Sequence, residues 1–218
     1  MTTKEKIIQQ ATAYFNREGY GSTNLYELAN EIGMSRGNLA YHFKEKDLLL
    51  EAIAQELRLK MDSERNKSRQ FPSFENLHNE VQLYYRFQQE YSFLFMDQEA
   101  FRHPFVQKQF REMSKQTVED NKAAIAFSIK MGNLKEEPFP GLYNNIAFIT
   151  WMLAFYWLAQ QIIRGKKAKQ DGEKLIWSIL VPHFTERGKA SFIKFFGEEY
   201  YQQLGEPFEY DIEQLISF

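Results

Sequence analysis

Residues 22–43 read STNLYELANEIGMSRGNLAYHF, and this stretch predicts two short helices joined by a tight turn. Ser22, Thr23 and Asn24 are all good N-cap residues, and Glu27 lies three positions after Asn24, as in a capping box. Gly33 falls where the chain must turn, because glycine accepts the left-handed conformation that ends a helix. Ser35 then caps the second helix. This is the spacing of a helix-turn-helix, in which the outer face of the second helix is free.

Apolar residues give both short helices a buried face. Leu28 and Ala29 lie on the first, and Ala29 is small enough for two helices to approach closely. Leu39 and Phe43 lie four residues apart on the second, so both point to the same side. The opposite side of the second helix is therefore left for another role.

The outer face of the second helix has the chemistry of a DNA-reading surface. Arg36 and Asn38 lie at its start, where recognition helices place their base contacts. Arginine pairs with guanine and asparagine with adenine in the major groove, and Gly37 leaves room for a close approach. Side chains suited to phosphate oxygens follow: Tyr41, His42, Lys44 and Lys46.

The charge that supports this reading is local. The whole chain of 218 residues has a formal net charge of −2, so no global basic field draws it to nucleic acid. Between Gly33 and Lys46, three basic residues face one acidic residue. An ordinary two-helix corner with a polar surface remains the alternative on charge alone. Cysteine is absent, which excludes disulfides and thiolate chemistry.

The remainder of the chain is predicted to be all-α. Apolar residues recur at helical spacing in segments near 74–97, 104–131, 141–164 and 172–184. Alternating β-branched runs flanked by turn signals are missing, so strands are not supported. We place the domain boundary where the helix near Asp47 leaves the first three, with a DNA-binding domain at 1–46 and a helical regulatory and dimerisation domain at 47–218.

One uncharged run allows a different interpretation. Ile146 to Ile163 reads IAFITWMLAFYWLAQQII, which is near the minimum length for crossing a bilayer. Basic residues follow it at Arg164, Lys166, Lys167 and Lys169. A helix buried in a core or a subunit interface fits the same composition. We expect the buried helix, no membrane contact, and a cytoplasmic protein without a secretory signal.

The stretch from Ile8 to Leu49 resembles the DNA-binding domain of the TetR (tetracycline repressor) family of bacterial regulators. In that family the third helix follows the pattern Gly-hydrophobic-Ser-x-Gly-x-Leu-Tyr-x-His-Phe, and residues 33–43 read GMSRGNLAYHF. Neighbouring family positions are matched by Phe15, Gly19, Tyr20, Thr23, Leu28, Ala29, Lys46 and Leu49. The family tyrosine that commonly contacts the DNA backbone is replaced by Ala40, and Tyr41 points about 100° away around the helix.

The resemblance implies an N-terminal three-helix DNA-binding domain followed by a helical ligand-binding and dimerisation domain. It implies a transcriptional regulator, most often a repressor, that binds a palindromic DNA operator as a homodimer and is released by a small ligand. The predicted DNA contacts are Thr23, Ser35, Arg36, Gly37, Asn38, Tyr41, His42 and Lys46.

The helical body offers candidates for a ligand pocket and a dimer interface. Aromatic residues crowd its middle, and they predict either plain core packing or a pocket for an apolar or aromatic ligand. The pocket candidates are Tyr84, Phe87, Tyr91, Phe95, Phe105, Phe127, Trp151 and Phe155. Two apolar helices predict the dimer interface through Leu142, Ile146, Ile149, Leu153, Tyr156, Leu175 and Ile179.

Catalysis and metal binding are not indicated. The four histidines show no metal-ligand spacing, and neither a nucleophile elbow nor a phosphate loop can be identified. We therefore expect no cofactor, no metal and no enzymatic activity. The alternative is an enzyme or a small-molecule binding protein that merely contains a helix-turn-helix corner.

Overall fold

The structure is a computed structural model that describes residues 1–68, 72–164 and 172–205. Within these ranges the chain is all-α, as predicted, and the only extended pairing is an isolated bridge between Leu134 and Phe184. The helices are α1 (Thr3–Glu18), α2 (Leu25–Glu31), α3 (Arg36–His42), α4 (Lys46–Ser68), α5 (Phe74–Glu90), α6 (Ser92–Met96), α7 (Gln98–Arg102), α8 (Pro104–Lys130), α9 (Leu142–Phe155), α10 (Trp157–Arg164), α11 (Gly172–Leu180), α12 (Glu186–Phe196) and α13 (Glu198–Gln203).

The chain divides into two compact units. The first combines Met1–Glu64 with Arg86–Met113, and the second combines Arg65–Tyr85 with Ser114–Phe218. The domain boundary expected after residue 46 falls at the first residue of α4, inside the first unit. That boundary stays a prediction.

In the first unit, α1 supplies the apolar stripe that its sequence predicts. Ile7, Ala11 and Phe15 are completely buried. The helix begins with a capping box at Thr2 and ends at Gly19, where φ is 84°. The left-handed backbone at this position explains why glycine stops the helix there.

The periodic segment 74–97 is not one helix, because the chain breaks at Tyr91 (φ −120°, ψ 40°). Asn16 of α1 bridges this break. Its Nδ2 donates to the carbonyl oxygen of Glu90 at 2.8 Å, and its Oδ1 accepts from the backbone N–H of Phe93 at 3.0 Å. The side chain thus satisfies backbone groups that the helix end would leave unpaired.

Asp97 joins the start of α7 to the turn that follows α1. Its Oδ1 accepts from the backbone N–H groups of Glu99 and Ala100, both at 3.0 Å. Its Oδ2 accepts from the backbone N–H of Gly21, also at 3.0 Å. One carboxylate therefore fixes the chain just before the helix-turn-helix begins.

The core of the second unit is aromatic. Trp177 of α11 and Phe192 of α12 are fully buried, and their ring centroids lie 5.2 Å apart. At Gly188, an added Cβ would come within 2.0 Å of the carbonyl oxygen of Asn133. That oxygen accepts from the backbone N–H of Thr185 at 3.0 Å, so α12 begins directly against the chain after α8.

The uncharged run Ile146–Ile163 forms two helices, because α9 ends at Phe155 and α10 begins at Trp157 after a bend of 58°. Among the described residues, a single helix long and apolar enough to cross a membrane is not found, and only the bent pair meets that test by length and composition. The basic positions Lys166, Lys167 and Lys169, predicted to flank the run, lie outside the described residues.

Candidate nucleic-acid interface and ligand cavity

The turn between α2 and α3 has the geometry that its sequence predicts. Gly33 adopts a left-handed φ of 67°. Its N–H donates to the carbonyl oxygen of Asn30 at 3.2 Å, and the N–H of Met34 donates to that of Ala29 at 2.9 Å. These bonds satisfy the last carbonyls of α2 and let the chain reverse within a few residues.

α3 is capped and anchored as expected. Ser35 Oγ accepts from the backbone N–H of Asn38 at 3.2 Å, which makes Ser35 the N-cap. Leu39 and Phe43 are buried on the inner face. A helix of only two turns is marginal alone, so this cap and these two side chains hold α3 in place.

The outer face of α3 presents polar groups to solvent. Arg36, Asn38 and Lys44 are exposed, and their side chains form no hydrogen bond or ion pair with the described residues. Tyr41 is 83% exposed, and its ring meets that of His42 almost perpendicularly, with centroids 5.2 Å apart. Protein folding does not use these groups, so they remain available to a partner.

Gly37 has no packing reason to be glycine within this chain. A Cβ built there meets nothing within 4 Å. Glycine inside a helix costs roughly 0.5–1 kcal/mol relative to alanine, so a reason outside the chain is needed. Close approach of DNA to the start of α3 would supply it.

Replacing Gly37 with alanine is expected to raise the free energy of unfolding by about 0.5–1 kcal/mol. The same variant should bind DNA about tenfold more weakly, because the added methyl group would keep α3 from approaching the groove closely. That factor corresponds to a loss of about 1.4 kcal/mol of binding free energy. Urea unfolding and fluorescence anisotropy with labelled DNA would measure both. Gly33→Ala is the control, since alanine at φ 67° must destabilise the fold. An unchanged DNA affinity for Gly37→Ala would show that DNA does not approach this position.

The structure gives Thr23 an internal role that does not fit the predicted phosphate contact. The side chain is only 4% exposed, and its Oγ1 donates to the carbonyl oxygen of Gly19 at 2.6 Å. Its backbone N–H donates to the carbonyl oxygen of Tyr20. The N-cap of α2 is Asn24, whose Oδ1 accepts from the N–H groups of Tyr26 and Glu27. Thr23 therefore closes the preceding turn and keeps no donor for phosphate.

Lys46 is also engaged inside the domain. Its Nζ donates to the carbonyl oxygens of Tyr20 and Thr23, both at 2.9 Å, and lies 4.1 Å from the centroid of the Tyr20 ring. The Tyr20 hydroxyl donates to Asp47 Oδ1 at 2.5 Å. Burial, and then this hydrogen bond to a carboxylate, raise the pKa of Tyr20, so the phenol stays a donor. An ammonium has three N–H groups, so Lys46 keeps at most one for phosphate.

Lys46→Met is accordingly expected to lower the free energy of unfolding by about 1.5–3 kcal/mol, the range for hydrogen bonds to a charged group. Lys44→Met is the matched control, since Lys44 is exposed and its side chain forms no hydrogen bond or ion pair with the described residues. Chemical unfolding followed by circular dichroism would compare the two. Equal stability of both variants would contradict the internal role of Lys46.

A second candidate site is a cavity of about 260 Å³ within the second unit, called here the α8–α11 cavity. Its walls come from the chain before and at the start of α5, the C-terminal half of α8, and α9, α11 and α12. Of the eight aromatic residues predicted for a pocket, Phe127 lies on this wall. Four others are buried, namely Tyr84, Phe87, Tyr91 and Phe155. The remaining three are partly buried, namely Phe95, Phe105 and Trp151.

The wall residues that matter most were missed by sequence reasoning. Asn121 and Thr150 are buried polar residues inside helices, and Trp177 lies on the predicted second interface helix. Polar residues at apolar positions of a helix are a weak sign that the helix lines a cavity, and the sequence offered this sign at Asn121 and Thr150.

The predicted dimer-interface residues divide by exposure. Ile149 and Tyr156 are exposed on α9 and at its end, and the buried Ile146 belongs to the core of the second unit. Phe148 and Met152, which were not predicted, are exposed beside them. The remaining predicted residues are partly buried: Leu142, Leu153, Leu175 and Ile179.

The fold and the exposed recognition helix define a helix-turn-helix transcriptional regulator. Residues 7–53 match the family model described as "Bacterial regulatory proteins, tetR family", and residues 53–192 match one described as "Bacterial transcriptional repressor". This chain belongs to the TetR family, as its sequence resemblance implied.

Individual relatives agree with the family. The chain is 36% identical over 64 residues to "Uncharacterized HTH-type transcriptional regulator YerO" of Bacillus subtilis (strain 168), which is 29% of this chain and 22% of YerO. The matched stretch therefore spans less than a quarter of that relative.

Solved structures share the fold over most of the chain. A TetR-family transcriptional regulator from Marinobacter aquaeolei VT8 is similar with a TM-score of 0.79 and 21% identity, covering 92% of this chain and 99% of that one. AibR in complex with isovaleryl coenzyme A and operator DNA is similar with a TM-score of 0.60 and 15% identity, covering 83% and 97%. At these identities the likeness concerns the fold.

Proposed function

We propose that this regulator binds a palindromic DNA operator as a homodimer in the cytoplasm and represses transcription. The observation that carries the proposal is the outer face of α3, where Arg36 and Asn38 are exposed and uncommitted within the described chain. Both side chains can form paired hydrogen bonds with purine edges. In this proposal residues 1–46 bind DNA, and residues 47–218 regulate and dimerise.

Dimerisation is supported by an exposed apolar surface on α9. Phe148, Ile149, Met152 and Tyr156 are each about two-fifths to one-half exposed. The spacing of Ile149, Met152 and Tyr156 puts them on one side of the helix. Contiguous exposed apolar side chains commonly mark an interface, and a twofold contact would bring two recognition helices to one DNA face.

Ligand control is supported by the α8–α11 cavity. It is lined mostly by apolar side chains with several polar ones, which is the usual make-up of a small-molecule site. AibR, which is similar in fold, is described in complex with both isovaleryl coenzyme A and operator DNA. We propose that a ligand in this cavity favours a conformation with lower operator affinity, so that binding shifts the population away from DNA.

Selection of bound DNA from a random pool tests the proposal. A palindrome with half-sites one helical turn apart, about 34 Å, is expected. Asn38→Ala should then lose about 1–3 kcal/mol of binding free energy on the selected site and much less on random DNA. Asn30→Ala, at an exposed position of α2, is the control. Recovery of unrelated sequences, or equal losses by Asn38→Ala on both DNAs, would reject base reading by α3.

A further inference from the structure

We propose that the α8–α11 cavity takes an uncharged molecule of about ten non-hydrogen atoms that carries an N–H or O–H donor. This inference rests on the proposed ligand control and specifies its ligand. The size follows from the volume of about 260 Å³, since an apolar cavity of about 150 Å³ holds benzene. A bicyclic aromatic skeleton fits that space.

The described lining disfavours a charged ligand. Sixteen described residues line the cavity, and none of these is Asp, Glu, Lys, Arg or His. Much of the wall is apolar, for example Phe74, Leu134 and Leu180. An ionised group enclosed without an opposite charge loses several kcal/mol of hydration, so a carboxylate or ammonium ligand is disfavoured.

Glu173 is hydrogen-bonded to the wall residue Trp177, and both of its carboxylate oxygens already have partners. Its Oε1 accepts from Trp177 Nε1 at 2.8 Å. Its Oε2 lies 2.6 Å from His78 Nδ1 and accepts from Gln82 Nε2 at 3.2 Å. The indole N–H of Trp177 is therefore used behind the wall, and Trp177 offers the ligand only its ring.

Four hydroxyl residues on the wall, Ser73, Ser128, Thr150 and Ser191, can donate or accept, whereas an amide oxygen can only accept. Asn121 Nδ2 donates to the carbonyl oxygen of Ala147 at 3.1 Å, so its Oδ1 is the atom left for a ligand. Asn133 Oδ1 also lacks a partner among the described residues, but it is buried away from the cavity surface and does not meet a ligand there. Thr150 is buried, and its hydroxyl forms no hydrogen bond with the described part of the chain.

The Asn121 acceptor decides the polarity of the ligand. Asn121 Oδ1 has no donor among the described residues, and a ligand N–H or O–H would supply one.

Three matched probes test the proposal by isothermal titration calorimetry on the full chain near pH 7: 2-naphthol, 2-methoxynaphthalene and 2-naphthoate. We expect 2-naphthol to bind once per chain. The methyl ether should bind at least about tenfold more weakly, since it lacks the donor for a buried acceptor. The carboxylate should bind at least about a hundredfold more weakly, since its charge has no counterpart.

Two variants locate the binding. Ala124→Phe fills the cavity and should abolish 2-naphthol binding, with its helical circular dichroism spectrum checked in parallel. Asn121→Leu keeps the volume but removes an acceptor, so 2-naphthol should fall to the affinity of the methyl ether. Failure of all three probes to bind the unmodified chain, equal binding of 2-naphthoate, or undiminished binding of 2-naphthol to Asn121→Leu would overturn the proposal.

Operator binding separates this inference from the proposed function. If 2-naphthol binds as expected but leaves operator affinity unchanged, the ligand class stands and ligand-controlled release is wrong. If 2-naphthoate binds better and releases the operator, ligand-controlled release stands and the proposed ligand class is wrong.

Discussion

Ile149→Arg is expected to turn the protein into a monomer and to lower operator affinity by about a hundredfold or more. In a twofold contact every substitution occurs twice, so two arginines would enter an apolar interface and face each other. The two recognition helices would then bind their half-sites independently, and the gain from binding both at once would be lost. Sedimentation velocity and anisotropy with the selected operator measure the two effects.

Ala123→Arg on α8 is the matched control, because Ala123 is exposed and receives the same new charge. It should leave the sedimentation coefficient and the operator affinity unchanged. A dimeric Ile149→Arg protein would show that the α9 surface is not the interface. A monomeric variant with full operator affinity would show that dimerisation does not contribute to DNA binding.

Arg65→Met is expected to lower the free energy of unfolding by about 3 kcal/mol. Arg65 is only 4% exposed, and its Nη2 lies within hydrogen-bond distance of Glu80 Oε1 and the Tyr84 hydroxyl, both at 2.9 Å, and of Thr117 Oγ1. These bonds join the end of α4 to α5 and α8 within the second unit. The substitution removes the cation that pairs with the partly buried Glu80.

Arg58→Met on the same helix is the control. Arg58 pairs with Asp62 at 2.8 Å and Glu112 at 3.4 Å, but all three side chains are more exposed than Arg65. Exposed ion pairs contribute about 0–1 kcal/mol, so this variant should unfold at nearly the same urea concentration as the unmodified protein. Similar losses from both substitutions would mean that burial does not strengthen the Arg65 network.

The helix-turn-helix could be predicted because its signals are local. Asn24, Gly33 and Ser35 each act on backbone groups within a few positions of themselves. Such caps and turns depend on nearby sequence, which is why the motif is legible from residue order alone. The exposed face of α3 follows directly once the buried Leu39 fixes how the helix is turned.

Breaks in the longer segments could not be predicted, because their causes are distant in sequence. At the interruption at Tyr91, Asn16 accepts a hydrogen bond from the backbone N–H of Phe93, which lies 77 positions later in the chain. Helical periodicity continues across the break and gives no warning of it. The bend between α9 and α10 is likewise hidden within one uncharged run.

The cavity was only partly foreseen for a related reason. Aromatic residues predicted it, but whether a ring fills the core or lines a space depends on volume left by all its neighbours. Tyr84 and Tyr91 fill the core, whereas Phe127 lies on the cavity wall. The engagement of Lys46 and Thr23 was missed because both face backbone carbonyls of a turn, which composition does not show.

The inward position of Lys46 limits how strongly the protein is held by DNA of any sequence. Around α3, Arg36 and Lys44 are uncommitted cations, and Lys46 keeps its charge but at most one N–H for phosphate. A dimer would therefore displace about four to six condensed counterions there, with a contribution of about −3.6 to −5.4 to the slope of log affinity against log salt. This dependence of affinity on salt is shallow, which means that the attraction to DNA of any sequence is weak. Away from its operator the regulator should therefore dissociate readily, so that its residence time on a chromosome depends mostly on base contacts.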